Sequence, residues 1–562
     1  PKPHKTLKNY LQTFADDEKK YNALLGLISD RAPLAKKFES VALDVKLALQ
    51  PRGEGDTRIE RDRFRDAAEI IRLDMSDRGK YFNCEETRTA YYFHSETRTV
   101  FEIDMNFLST YFFSNYHVNA SEKFARFLTA HLYDAAFRFG TPVTVHKLFY
   151  YDSDRNELYF TNFKNGYYRI TTTSISYHDN GTNNIFFMPP EIGTQWKYID
   201  EIENQNESAF NRYISEFLLH ESENLSVREQ REILKYYLLS IPFADVLLPT
   251  RPIVAFIGPK GSGKSAFARR IIKLLFGKKA DVKSLPEDQS EFDVILYQNP
   301  IIAIDNADEK TSWLNSRLAL AATGHIVEKR TLYKNTESTK MTIRNYIIIT
   351  AHTPHFTRDD VADRMLIFNI DRIENYRPES ELIPELLRAR NEILSSYARE
   401  LQTVLQKLAA TSQSKYTTKF RMADFAIFAT RIGTPETVSI FDRLATVQSD
   451  FTLSTSTLYN YLAEWIDSGN SDCPLTAAEL HRELTDIAAK HNQKLKISPM
   501  KLALWIKNSH HDIAKFFDLT ITQGKHRYTL YSFRRRQNLD TANIAPPNSQ
   551  LPFDNQFDED EI

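Results

Sequence analysis

Apolar positions along the chain fall into different textures, and each texture predicts its own kind of element. Between residues 81 and 204 they come as short aromatic and β-branched runs, as in Thr89–Phe93, Thr99–Ile103 and Glu157–Thr161. Turn-formers such as Asp152–Asn156 and Asn165–Gly166 separate some of these runs, which predicts strands and hairpins. A helical pattern from Ala120 to Phe137 interrupts them, so 81–204 reads as an α+β domain. From 205 to 245 the period becomes helical, a helical collar. There Ser226 and Glu229 make a capping box, and Ile233, Leu234, Tyr237 and Leu238 recur on one face. Between 246 and 375 buried-strand runs alternate with amphipathic helices, the pattern of an α/β domain. A helical region is expected over 376–470, with a helical stretch over about 379–410 and further helical pieces to about 467.

The two ends differ from the middle. Residues 1–80 are polar and charge-dense, and read as a mainly helical or linker region. Residues 471–536 read helix, helix, hairpin, a winged-helix pattern. Thr476 with Glu479 caps its first helix, and Ser498-Pro499 opens its second. The last 26 residues, 537–562, hold six acidic side chains and no Lys or Arg, which predicts a disordered acidic tail.

Composition narrows the field. A chain of 562 residues implies about three or four domains. Its 72 basic and 74 acidic residues exclude a protein that is basic throughout, though not a local basic face. Two cysteines, Cys84 and Cys473, supply no disulfide framework or thiolate zinc site, as expected of a reducing compartment. No run approaches the roughly 20 apolar residues that span a bilayer, so a cytoplasmic protein without a membrane partner is expected. Glycine is scarce, at 16 residues, yet three of them fall within six positions at Gly258, Gly261 and Gly263.

That cluster carries the chemistry. Gly258, Pro259, Lys260, Gly261, Ser262, Gly263, Lys264 and Ser265 match G-x4-G-K-[ST], and Ala266 continues into a helix. The glycines let backbone N–H groups turn around a phosphate, and the helix N-terminus favours the negative charge. Lys264 is then expected to reach the β- and γ-phosphates of ATP, and Ser265 to ligate Mg²⁺. The run Ile301–Asp305 is an apolar strand ending in a carboxylate, the pattern of a Walker B strand, so Asp305 is the second metal candidate. Asn306 stands where many ring ATPases place a catalytic Glu. Asp308 and Glu309 follow, and which group positions the attacking water is open at this point. The strand Asn345–Thr350 leads to His352, either a sensor of the γ-phosphate or a loop histidine satisfied by its neighbours. Arg364, just before the strand Met365–Ile370, stands where ring ATPases place an arginine finger, with Arg358 as the other candidate. The bland alternative is a surface arginine pairing with Asp360 or Asp363.

Taken together, Ile304-Asp-Asn306, Trp313-Leu314, Thr323-Gly324, Arg330–Tyr333, Asp363-Arg364 and Arg377–Leu382 resemble the ATPase domain of phage, plasmid and poxvirus primase-helicases, near superfamily 3 within the AAA+ class. The resemblance implies an α/β AAA+-type P-loop core between an N-terminal α+β domain and a C-terminal winged helix. It also implies a homo-oligomeric ring, a hexamer or similar, that threads one DNA strand. A hairpin between the Walker B and sensor strands would touch that strand, with Lys329, Lys334 and Lys340 as contacts. The cationic stretch Lys525, Arg527, Arg534, Arg535 and Arg536 is the candidate for duplex DNA at the winged helix. His352 departs from the Asn common at that place in superfamily 3. The N-terminal region shows no acidic triad for primer synthesis, so a separate primase or polymerase is an expected partner. The reading is an ATP-driven DNA helicase or replication initiator of a mobile element. The alternative is a nucleic-acid-responsive ATPase switch that does not unwind.

Overall fold

A computed structural model of the chain describes residues 41–51, 59–104, 107, 111–119, 121–200, 207–222, 224–308, 311–330, 338–352, 354, 356, 358–373, 377–411, 417–454, 457–491, 493–495, 497–508, 510, 513–514, 517–523 and 528–535. Two compact units emerge: residues 1–150, 159–169 and 175–191 form one, and 151–158, 170–174 and 192–562 the other.

In the first unit the helices Glu60–Arg78 and Lys123–Phe139 share a core with a mixed sheet. The sheet strands are β1 (Gly79–Cys84), β2 (Thr89–His94), β3 (Thr99–Glu102) and β4 (Thr141–Pro142), in the order β3-β2-β1-β4. Ala67, Ala68, Ile71 and Met75 recur at helical spacing and meet Tyr81 and Tyr92 of the strands and Leu128, Leu132 and Ala136 of the second helix. Tyr92 donates its hydroxyl proton to the Met75 carbonyl (2.9 Å), so the buried ring is polar-satisfied. This core runs across residue 80, joining the end of the charge-dense segment to the strands. Further along come β5 (Val145–His146), β6 (Phe149–Asp152), β7 (Glu157–Thr161), β8 (Gly166–Ile170), β9 (Ile175–Asp179) and β10 (Phe186–Phe187). Strands β6 to β9 make a four-stranded meander in sequence order, and β10 pairs with β5 in parallel.

The second unit is built on a five-stranded parallel sheet. Its strands are β11 (Ile253–Ile257), β12 (Lys283–Ser284), β13 (Ile301–Asp305), β16 (Tyr346–Ala351) and β17 (Met365–Asn369), ordered β12-β13-β16-β11-β17. Between β13 and β16 the chain makes an antiparallel hairpin, β14 (His325–Arg330) with β15 (Ser338–Ile343). A parallel sheet covered on both faces reads as unbroken apolar runs, which is why Ile301–Ile304 and Tyr346–Ile349 do not alternate. Ile302, Ile304, Ile347 and Ile349 pack with Leu314 and Leu318 of the helix Leu314–Thr323.

Helices frame this sheet. The helix Val227–Ser240 begins at the expected capping box, with the Glu229 N–H donating to Ser226 Oγ and the Ser226 N–H to the Glu229 carboxylate. The long helix Glu379–Ala410 spans the expected residues. From it the buried Arg390 donates to the carbonyls of Leu274 (2.8 Å), Leu275 (3.0 Å) and Thr194 (2.9 Å). Leu274 and Leu275 lie in the last turn of the helix Lys264–Phe276, whose carbonyls lack intrahelical partners. Burial draws the Arg390 guanidinium down to about 10, still charged at neutral pH.

The expected helix, helix, hairpin at the C-terminal end is present as Ala477–Lys490, Pro499–Asn508 and the pair β19 (Phe517–Gln523) and β20 (Thr529–Arg535). A short strand, β18 (Leu475–Thr476), completes the sheet β18-β20-β19, and Leu484, Leu502, Ile506 and Phe533 fill its core. Among the described residues no helix is long and apolar enough to cross a membrane.

Candidate nucleotide site

Ligands of parallel α/β sheets bind outside the carboxyl ends of the strands. Here β11, β13 and β16 bring Ile257, Asp305 and Ala351 to one edge, and the three loops that follow define the site. Gly258 follows β11 where the backbone passes so close to its neighbours that a Cβ would come 2.3 Å from the Ile370 carbonyl. Gly263 takes φ +84°, the left-handed region open to glycine, as N-cap of the helix Lys264–Phe276. The turn sets that helix N-terminus, with its unpaired N–H groups and positive dipole, at the rim of a cavity of about 460 Å³. Lys260 through Ala266 line it, together with Asn306, Asp308, His352 and Glu379.

The electrostatics suit an anion. Lys264 donates to the carbonyls of Gly258 (2.7 Å) and Pro259 (2.9 Å). Burial lowers its ammonium below the ordinary lysine range, while Asp308 and Asp305 work against that shift. Ser262 is fully buried, and its Oγ has no hydrogen-bond partner, an unmet polar group inside the phosphate loop. Asp305 Oδ1 accepts from Thr350 Oγ1 at 2.6 Å, and the same hydroxyl accepts from the Asn306 N–H at 3.0 Å. Asn306 is held at φ +54° and exposed, so its amide stands on the cavity side. Asp308 accepts from the His352 N–H at 2.6 Å. His352 Nδ1 lies 3.2 Å from the Gly258 carbonyl, which can only accept, so that nitrogen carries the proton. In the neutral ring Nε2 then accepts only; donation to a phosphate oxygen takes the doubly protonated ring.

Arg364 and Arg358 do not line the cavity of their own chain. Arg358 is engaged by Asp360 (2.6 and 2.8 Å) and Ser316 (3.3 Å), and Asp363 pairs with Arg421 (3.3 Å). With both neighbouring carboxylates so engaged, the Nε and Nη1 of Arg364 are buried without a hydrogen-bond partner. Burial, then the Arg421 charge, lowers its guanidinium.

The DNA candidates fare unevenly. Lys334, Lys525, Arg527 and Arg536, the side chains of Lys329 and Lys340, and Glu309 lie outside the described residues. Arg534 pairs with Asp472 (2.7 Å) and Arg535 with Asp467 (3.0 Å), all four side chains being well exposed.

Two features of the site were missed in the sequence. Thr350 reads there only as the end of a buried strand, and its role depends on β16 lying beside β13. Glu379 lies 115 positions beyond Lys264, pairs with Arg269 at 2.5 Å, and no spacing rule points to it.

The fold and the site define a mixed α/β P-loop protein. Residues 235–452 match the family model described as "Actinomycete integrative conjugative element replication protein". No curated protein matches the chain. Among solved structures, the NrS-1 C-terminal region in its apo form is 10% identical with a TM-score of 0.39, covering 82% of this chain and 98% of that one. JCV helicase is 14% identical with a TM-score of 0.20, covering 40% of this chain and 60% of that one. Likenesses as loose as these two carry no weight for the activity.

Proposed function

We propose that the protein is an ATP-driven DNA helicase or replication initiator of a mobile element, working as a homo-oligomeric ring. The observation that carries this reading is the convergence of Lys264, Ser265, Asn306, Asp308 and His352 from three strand ends around one cavity, with Asp305 at the end of β13 beside them, held by Thr350. The family match over 235–452 supports the replication context.

The residues fit a nucleoside triphosphate with Mg²⁺: a glycine cradle with no room for a Cβ, an unmet buried hydroxyl at Ser262, and an ammonium at the loop. Lys264 and the N–H groups of the loop would bind and orient the phosphates, and Ser265 and Asp305 would hold the metal. The metal, when bound, supplies neutralisation of charge developing on the phosphate oxygens. Thr350 fixes the Asp305 carboxylate, and Asp308 and Asn306 are the groups placed to orient water. Arg364 completes the site of the adjacent subunit by swinging out of the chain, since its Nε and Nη1 are buried in the single subunit without a hydrogen-bond partner among the described residues. The C-terminal helix, helix, hairpin serves as a winged-helix DNA module. On duplex DNA, Arg534 and Arg535 exchange their exposed partners Asp472 and Asp467 for phosphates.

The test is strand separation on a forked duplex by the full chain and by Lys264→Ala. Unwinding by the former and none by the latter is expected. DNA-stimulated hydrolysis without any strand separation overturns the helicase reading and leaves an ATPase switch.

A further inference from the structure

The first unit holds a second cavity, of about 490 Å³, remote in sequence from the phosphate loop. It lies where β1, β4, β5 and β10 come together, and its lining holds Lys80, Arg98 and His146 but no Asp or Glu. A cavity of this size suits a small ligand, and its charge suits an anionic one.

Its walls are aromatic. Phe93 and Phe186 are buried with ring centroids 5.2 Å apart, and Phe82 meets Phe186 at 4.5 Å. His146 lies flat on Tyr150, with centroids 4.0 Å apart and planes 18° from parallel. Tyr150 in turn stacks on Tyr159 at 5.5 Å and 20°. Three flat rings thus form one column, and two of them line the cavity. A stacked column beside cations, in a lining without a carboxylate, suits a flat, anionic ligand.

Hydrogen bonds tie the loops around the cavity together. Asn180, buried, donates to the carbonyls of Arg98 (3.0 Å) and Phe187 (2.9 Å) and accepts from the Phe187 N–H (2.8 Å). One amide therefore ties the β2–β3 turn to β10. Arg98 sits in that turn at φ +56°, a conformation uncommon for a side-chain-bearing residue. Gly181 follows at φ +86°, where a Cβ would press within about 3 Å of the Phe93 and Phe186 rings. These are the marks of a shaped site, since loop strain persists only where its surroundings impose it.

We propose that this cavity binds one nucleotide unit, the base stacked on the His146–Tyr150 pair and the phosphate on Lys80 and Arg98. The shared chemistry, a base carrying a phosphate, has two sources: a free nucleotide, or a nucleotide within a single strand. Photocrosslinking the full chain to a short oligonucleotide carrying 5-iododeoxyuridine, and separately to 5-iodo-dUMP, separates them. The expected result is a crosslink at His146 or Tyr150, from the oligonucleotide if the source is a strand and from the mononucleotide alone if it is free.

Replacing Lys80 and Arg98 with Ala tests the phosphate. For the strand, the slope of log affinity on log salt should fall by about 0.7, the value for the one phosphate no longer neutralised. For the free nucleotide, the crosslink yield should fall at least tenfold. ATP hydrolysis without DNA should be unchanged, which separates this site from the phosphate loop. Because the crosslinking uses the unaltered protein, a folding defect in the variant leaves the test intact. Absence of crosslinks from both probes to residues 143–151 overturns the proposal.

Discussion

Thr350 serves two groups with one hydroxyl, donating to Asp305 and accepting from the Asn306 N–H. A carboxylate that holds a metal works only while something fixes its orientation, and partners of this kind typically cost 10–100-fold when removed. Thr350→Val keeps the shape and deletes the hydroxyl. It should raise the Mg²⁺ concentration for half-maximal ATP hydrolysis by about tenfold or more. Thr350→Ser should restore most of it. A magnesium titration of hydrolysis by the three proteins checks this, and an unchanged titration for the valine variant would remove Thr350 from the site. Lys264, Ser265 and Asp305 are legible in the sequence because each sits in a local motif. Thr350 is not, because its contact with Asp305 spans 45 residues.

Capping shows the same division at the scale of elements. The Ser226–Glu229 box is written within four residues, so the sequence displays it, and hydrogen bonds in both directions form it. What the sequence does not disclose is Arg443, more than two hundred positions on, whose guanidinium reaches the same carboxylate at 2.5 Å. The Arg443 hydrogen bond, followed by those of Ser226, draws Glu229 down to about 2 despite the opposing effect of burial. The unfolded chain holds Glu near 4.3, so the folded form is favoured by this carboxylate above that pH. The contribution drains away as pH falls from about 4.3 towards 2. Glu229→Gln should therefore cost about 1 kcal/mol at pH 6 and almost nothing near pH 2. Urea midpoints of the two proteins across that range measure it, and a difference that stays constant with pH would exclude the ion pair as its cause.

For the whole molecule the decisive residue is Arg364. Among the described residues its buried Nε and Nη1 find no partner, and the carboxylates beside it are engaged by Arg358 and Arg421. An arginine left in that condition is costly unless something else receives its protons. A neighbouring subunit's nucleotide supplies the receiver in the proposed ring. Arg364→Ala and Lys264→Ala should each be inactive in ATP hydrolysis. Mixed in equal parts, they should recover about a quarter of the wild-type rate, because one mutant keeps its nucleotide site and the other its arginine. Failure to recover any activity, with mixed assembly verified by mass, would place Arg364 outside the neighbour's site.

The chain's local grammar is complete in its residue order: the phosphate loop, the strand runs, the capping boxes and the extent of the helix Glu379–Ala410. These follow from backbone sterics and short-range periodicity, which a few adjacent residues contain in full. The strand order β12-β13-β16-β11-β17 came only with folding, and with it the meeting of Asp305 with Thr350, Asp308 with His352, and Glu379 with the cavity. The cavity at Lys80 and His146 belongs to the same class, since its walls come from separate stretches of chain between residues 80 and 186. Contacts of that kind are set by which strands pair and which faces bury apolar area, and no window of sequence records them.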